Sequence, residues 1–343
     1  MGQEKSQKDK SGISRSEQET NNINMEKNKD TPIEQERISE YKEPDNKKIN
    51  YEVMIVKDIQ YSSYIFEGSK EKLLFDLYLP KKESSETCPL LIYIHGGGWL
   101  EGSKEWCPGE DVSKLGYAMA SINYRLSDVA IFPAQIYDIK EAVRWLRKNA
   151  SKYGIDPNRF GVWGDSAGGH LSALLGTTAV VQKLEGEETT YNVSSEVQAV
   201  CDWFGPTDFT QVPPAFEEKF NESIFEKYGD KPWFEYTQAV TKLLGGPVSE
   251  NLKLADLANP INFVNSTDPP FLIYHGELDN IVPISQSELL ADKLKENNVN
   301  VTFIRDPNRG HSYSIEGTDE ESFDPVLINK ALNFFDSVFK YSR

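Results

Sequence analysis

Gly164-Asp165-Ser166-Ala167-Gly168 fits the pattern G-x-S-x-G, a serine between residues small enough for a tight strand-to-helix turn. Residues 159–163 read as a strand and the residues after Gly168 as the start of a helix, which is the context such a turn needs. There the Ser166 hydroxyl would stand above the end of a sheet. The helix N-terminus behind it would offer backbone N–H groups to a developing oxyanion. A serine of this kind performs acyl transfer only with a general base beside it, normally a histidine held by a carboxylate.

The chain has four histidines. His95 belongs to a glycine loop, His170 lies one helical turn beyond Ser166, and His275 ends a predicted strand and suggests a structural place. His311, in a loop after the last predicted strand, is free to reach back and is the expected base. In the chain order of this turn type the acid falls between serine and histidine. Asp279 follows the carboxyl end of a strand and is the expected acid, with Glu277 as its rival. His95-Gly96-Gly97-Gly98-Trp99 follows an apolar strand, and consecutive glycines allow a backbone to approach a ligand and aim N–H groups at it. Gly97, Gly98 and the Ala167 N–H are the expected oxyanion donors. Asp165, beside the nucleophile, is expected to pin the turn or the pocket wall.

The elements that must position these residues alternate. Strands are predicted at 51–61, 72–79, 89–94, 117–124, 159–163, 196–204, 270–275 and 300–305. Helices are predicted at 133–153, after 168, at 285–295 and from about 324 to 341. The helix at 133–153 carries Ile136, Ile139, Ala142, Val143 and Leu146 on one face. Strands interleaved with helices predict an α/β fold with a mostly parallel sheet covered on both faces. Residues 207–262 break the rhythm with Pro213-Pro214, two candidate helices and dense aromatics, and read as a small inserted lid. Phe209, Phe216, Phe220, Phe225, Tyr228, Trp233, Phe234 and Tyr236 supply either the insertion's own core or, with Trp99 and Trp203, an aryl or sugar platform.

Composition narrows the partners. There are 54 acidic and 37 basic residues in 343, a formal net charge of −17. That excludes nucleic acid as an expected partner and disfavours anionic lipid. Residues 1–50 hold 11 acidic and 10 basic side chains and neither Trp nor Phe, so the excess negative charge sits on the remainder. Residues 1–48 read as a polar tail or linker, and residues 49–343 as one domain. The start carries no apolar h-region, and the tail fits either a secreted or surface-tethered chain whose signal has been removed, or a cytoplasmic one. Met1-Gly2-Gln3-Glu4-Lys5-Ser6 fits the short myristoylation pattern. Cys88, Cys107 and Cys201 have no metal spacing, and three cysteines allow at most one bridge. No run reaches the roughly 18–20 apolar residues of a membrane helix. No metal or other cofactor is expected.

Taken together, the HGGGW and GDSAGG motifs resemble the α/β-hydrolase superfamily, in the esterase branch related to hormone-sensitive lipase. Bacterial feruloyl and acetyl-xylan esterase-like proteins look most similar. Tyr124-Arg125-Leu126-Ser127, Phe132-Pro133-Ala134-Gln135, Tyr153-Gly154-Ile155-Asp156-Pro157, Trp203-Phe204-Gly205-Pro206-Thr207-Asp208 and Val282-Pro283-Ile284-Ser285 extend the similarity over residues 55–343. Glu277 stands where that group often has Asp, and Ser127-Asp128 stands where lipase relatives carry Pro-Glu. The resemblance implies ester hydrolysis through an acyl-enzyme, on acetyl or feruloyl esters of plant polysaccharide or on similar small neutral esters. Ser166 would be the nucleophile, His311 the base and Asp279 its orienting acid. A serine peptidase of the prolyl-oligopeptidase type shares the run from His275 to Pro283, but normally adds a large N-terminal propeller; a general small-ester carboxylesterase is the other alternative.

Overall fold

A computed structural model describes residues 50–82, 86–186, 191–211, 232–314 and 322–341. The expected tail at 1–48 and much of the expected lid, including Phe216, Phe220, Phe225 and Tyr228, lie outside them. The chain opens with a hairpin, β1 (Val53–Phe66) and β2 (Ser69–Pro80), turned by Gly68 at φ +81. There follow β3 (Cys88–Ile94), α1 (Gly109–Lys114), β4 (Ala118–Ile122), α2 (Ala134–Asn149), β5 (Ile155–Asp165), α3 (Ala167–Thr177) and β6 (Ala199–Trp203). Two helices of the insertion, α4 (Pro232–Leu244) and α5 (Leu252–Ala258), come next. The chain closes with β7 (Phe271–Gly276), α6 (Ser285–Glu296), β8 (Val301–Asp306) and α7 (Pro325–Tyr341).

The strands make one eight-stranded sheet in the order β1-β2-β4-β3-β5-β6-β7-β8. β1 pairs β2, and β2 pairs β4, antiparallel; from β4 to β8 every pairing is parallel. Side chains alternate between two cores, as the pleat requires. Leu90, Ile92 and Ile94 of β3 join the core under α2, α3 and α6, whereas Leu91 and Tyr93 join the one under α1 and α7. The expected apolar face of α2 is buried at all five positions. That helix ends at Asn149, earlier than expected, because the chain tightens into a 3₁₀ turn at Ala150–Tyr153 closed by left-handed Gly154. The short α1 is an addition to the expected elements: six residues show too little periodicity to read.

Parallel order puts the carboxyl ends of β3, β5, β6, β7 and β8 along one rim. In such sheets ligands bind outside those ends. Gly97, Gly98, Ser166, Ala167, Asp279 and His311 lie there, on the loop or turn that leaves one of these strands. A groove of about 770 Å³ lined by Val180, Gln198, Pro269, Asn300 and Val338 opens at the opposite rim, away from that chemistry.

Candidate active site

β5 occupies the centre of the sheet between β3 and β6, with Ile94 paired to Gly164 and Gly164 to Asp202. Its carboxyl end turns sharply. Ser166 takes φ +52 and ψ −118, a strained conformation for a residue with a side chain, and α3 starts at Ala167. The turn is possible because its neighbours have no Cβ. A methyl on Gly168 would lie 1.9 Å from the Ile94 carbonyl oxygen, and one on Gly164 would lie 2.4 Å from the backbone of Gly168. The Ser166 N–H donates to the Trp203 carbonyl (2.8 Å), and its own carbonyl accepts the His170 N–H (3.0 Å), which fixes the turn to β6 on one side and to the helix on the other.

Ser166 Oγ lies 2.9 Å from His311 Nε2, and His311 Nδ1 lies 2.7 Å from Asp279 Oδ2. Residues 145 and 32 positions apart are thus brought to hydrogen-bond distance. An ionised carboxylate accepts only, so Nδ1 carries a proton toward Asp279 and Nε2 is left to accept from the serine. The Asp279 side chain is fully buried. Its Oδ1 accepts the N–H groups of Ile281 and Val282, each at 2.9 Å. Burial alone would raise its pKa, but hydrogen bonds from His275 and His311 outweigh it and hold the carboxyl well below the usual carboxylate range. Glu277, the rival acid, turns outward and pairs with Arg305 (2.8 Å). The His311 ring rests on Phe204, with centroids 4.6 Å apart. Its loop is tied by Arg309, which donates to Asp324 (2.6 Å) and to the Ser314 carbonyl, and whose own carbonyl accepts the Leu278 N–H (3.0 Å).

The glycine loop leaves β3 and lies directly on the elbow: a Cβ on Gly96 would meet Asp165 Oδ2 at 2.4 Å. Gly97, Gly98 and Trp99 all adopt positive φ. The Gly97 carbonyl accepts the N–H groups of Leu100 (3.0 Å) and Glu101 (3.1 Å), making a tight turn, and Gly98 approaches Ala239 of α4. Ala167, as the first residue of α3, belongs to the turn whose N–H groups have no intrahelical acceptor. His95 is locked beneath the loop: its ring stacks on Tyr124 (4.5 Å), whose hydroxyl donates to the His95 carbonyl (3.0 Å). Burial lowers the His95 pKa to about 4, so it stays neutral and is no base. His170 is likewise buried, with its pKa lowered to about 4 by desolvation and Nε2 against the Ala258 carbonyl (2.7 Å).

Two expected substrate contacts, Trp203 and Trp99, are corrected. Trp203 is 1% exposed and packs edge-to-face on Trp163 (4.6 Å), because its place in β6 points it into the core under α7. Trp99 is also 1% exposed and sits edge-on to His170 and Phe209. Neither presents a face to a ligand. Asp165 is buried and accepts from the Tyr93 hydroxyl (2.5 Å) under Gly96, so it braces the turn and the loop above it, one of the two roles expected for it; burial pushes its pKa up to about 6. In the insertion, Phe209 and Tyr236 are buried in the same core as Leu90, Ile136 and Leu171, with Phe209 against Trp99 and His170, so at these two positions the insertion packs on the main core instead of forming one of its own.

Sequence reading gave His275 only a structural place and passed over Lys104. His275 reaches Asp279 with Nε2 at 3.1 Å, which the four-residue spacing in His275-Gly276-Glu277-Leu278-Asp279 could have suggested. Lys104 is buried just beyond the glycine loop among Asp58 (3.0 Å), Asp76 (3.0 Å) and Glu105 (2.8 Å), anchoring that loop to the opening hairpin. Among the described residues no group of three or more His, Cys, Asp or Glu could hold a metal ion, and no helix is long and apolar enough to cross a membrane.

A largely parallel eight-stranded sheet with a serine raised on a strand-to-helix elbow, facing a histidine and an aspartate from later loops, defines an α/β-hydrolase. The chain belongs to the BD-FAE family, whose profile matches residues 75–294. It is 31% identical over 256 residues to the esterase LipQ of Mycobacterium tuberculosis (strain ATCC 25618 / H37Rv), covering 73% of this chain and 56% of that one. The chain spans 56–60% of the length of the first curated relatives it matches. Among solved structures it is similar to a truncated carbohydrate esterase from gut microbiota, at 31% identity and TM-score 0.66, over 85% of this chain and 98% of that one. It is also similar to a bifunctional GH43-CE protein of Bacteroides eggerthii, at 32% identity and TM-score 0.66, over 82% of this chain and 38% of that one.

Proposed function

We propose that the protein is a serine carboxylic-ester hydrolase working through an acyl-enzyme. The observation that carries this reading is the relay Ser166 Oγ–His311 Nε2 at 2.9 Å and His311 Nδ1–Asp279 Oδ2 at 2.7 Å. His311 takes the Ser166 proton as the hydroxyl attacks the ester carbonyl, then gives it to the departing alcohol. Asp279 holds the Nδ1–H tautomer and stabilises the imidazolium that forms. The Ala167 N–H and the N–H groups of Gly97 and Gly98 receive the oxyanion; removing one such donor costs ~10²–10³ in turnover. Water, activated by His311, then releases the acyl group. The esterase names of LipQ and of the gut carbohydrate esterase agree with this chemistry.

The substrates we propose are acetyl or feruloyl esters of plant polysaccharide, or small neutral esters of similar shape. The carbohydrate-esterase likeness supports the first, and a net charge of −17 disfavours anionic substrates. Ser166→Ala is expected to remain folded, to lose about 10⁶ in kcat on p-nitrophenyl acetate and to resist fluorophosphonate labelling. Activity surviving in that variant sinks the mechanism. Acetate release from acetylated xylan or ferulate release from methyl ferulate supports the polysaccharide reading, and p-nitrophenyl acetate turnover without either restricts the enzyme to simple esters. Cleavage of aminoacyl anilides in place of esters would make it a peptidase.

A further inference from the structure

The Asp279 carboxylate meets a second histidine that the relay above does not use. His275 is fully buried at the end of β7, and its Nε2 faces two oxygens, Asp279 Oδ2 at 3.1 Å and the Val282 carbonyl at 2.9 Å. Both are acceptors, so Nε2 carries a proton, hydrogen-bonded to the Val282 carbonyl and close beside the Asp279 carboxylate. The other ring nitrogen, Nδ1, is closed by the Ser287 hydroxyl of α6 at 2.7 Å. The ring packs edge-on against Phe204, the same ring that supports His311. Asp279 Oδ2 therefore has an imidazole N–H on each side, His311 Nδ1 hydrogen-bonded at 2.7 Å and His275 Nε2 at 3.1 Å with its proton directed mainly at the Val282 carbonyl.

We propose that His275 is a positioning residue for the acyl-transfer relay, which extends from Ser287 through His275 and Asp279 to His311 and Ser166. The inference rests on the esterase reading above. Asp279 sits on a loop, and two backbone N–H groups hold only its Oδ1. Free rotation of the carboxyl is stopped at Oδ2 by His275, which keeps that oxygen in line with His311 Nδ1. The His275 N–H also draws charge from Oδ2 and so competes with His311 for that oxygen. Ser287 fixes the ring rotamer from behind. Charged groups also lie on the strands to either side of His275: Asp202 of β6, which is buried and accepts from the Gly205 N–H (2.9 Å), and Arg305 of β8, which pairs with His275 in register and binds Glu277 and Glu288.

Three variants of the full chain test this: His275→Met, which keeps bulk and removes the donor; His275→Gln, whose amide N–H can replace Nε2–H; and Ser287→Ala. Turnover of p-nitrophenyl acetate, pH profiles, melting temperature and fluorophosphonate labelling are measured for each beside the parent. His275→Met is expected to lose about 10- to 100-fold in kcat with KM unchanged, since a hydrogen bond to a charged group is removed. Its acid limb of kcat/KM should move to higher pH, because Asp279 then acts on His311 undivided. His275→Gln should recover most of both effects, and Ser287→Ala should lose about fivefold in kcat. A folded His275→Met that melts lower yet keeps the parent's kcat and pH profile overturns the proposal, as does equal loss in the Gln and Met variants. Should His275→Met yield no folded protein, parent-like kcat in folded Ser287→Ala overturns it. A parent chain that neither turns over the ester nor labels at Ser166 would instead refute the esterase reading itself.

Discussion

The two halves of the site are held by different forces. The nucleophile half, formed by the elbow on β5 and the glycine loop after β3, is fixed by backbone packed against backbone. Gly164, Gly96 and Gly168 leave no room for a methyl group. The acid–base half, carried by the loops after β7 and β8, is fixed by side chains that hydrogen-bond one another: Asp279 to His275 and His311, Arg309 to Asp324. Close packing gives a fixed geometry that tolerates no substitution. Hydrogen-bonded loops give a geometry that can lose function one bond at a time. Added bulk at the glycines of the first half should therefore cost the fold, whereas changes in the second half, like loss of the Ser166 hydroxyl itself, should cost chemistry.

The largest effect should follow Gly168→Ala. Its added carbon, 1.9 Å from a carbonyl oxygen in the centre of the sheet, has no flexible neighbour to displace, and soluble, cooperatively melting protein should not be recovered. Purified Gly168→Ala with a parental melting temperature would remove the contrast. Next comes Asp279→Asn, which should fold yet lose about 10⁴ in kcat, because an amide can donate to His311 and stabilise the wrong tautomer. Steady-state kinetics beside a thermal melt check both parts.

A smaller effect separates charge from packing beneath the site. Burial raises the Asp202 pKa to about 6, against hydrogen bonding from Gly205 and the field of His275. In the unfolded chain an aspartate titrates near 4. Between those values the folded state binds more protons, so this group's contribution to stability is full below about pH 4 and is lost as pH rises through about 6. Asp202→Asn should flatten the fall of melting temperature between pH 4.5 and 7.5, and an unchanged slope would show that the carboxyl is not the source. The smallest effect is expected for Glu277→Gln. It breaks an exposed pair with Arg305, worth less than about 1 kcal/mol, and should leave kcat within about twofold. A loss approaching that of Asp279→Asn would transfer the acid's role to Glu277.

The same division explains what could be read from sequence. Backbone crowding demands particular residues, so the glycine-rich turns of the nucleophile half announced themselves as His95-Gly96-Gly97-Gly98 and Gly164-Asp165-Ser166-Ala167-Gly168. The succession of strands and helices along the chain followed from alternation, and each predicted strand is present with ends shifted by a few residues. The acid–base half was legible only by position and by elimination among four histidines. Side-chain direction is not written in residue type, which is why Glu277 competed with Asp279 until Arg305 was seen to draw it outward. It is also why Trp203 was expected at a ligand: in β6 every residue is buried, so polarity does not mark which face a ring takes. The link from His275 to Asp279 stayed hidden for a related reason, since a buried histidine at a strand end ordinarily satisfies itself with backbone.

The inward turn of Trp203 has an optical consequence. Trp163 and Trp203 stand edge-to-face at 4.6 Å, and Trp203 also stacks on Tyr313, two residues beyond His311. The floor of the sheet thus contains an asymmetric chromophore pair whose near-ultraviolet dichroism and emission are coupled to the loop that carries the base. Movement of that loop would be visible in the protein's own light, with no label attached.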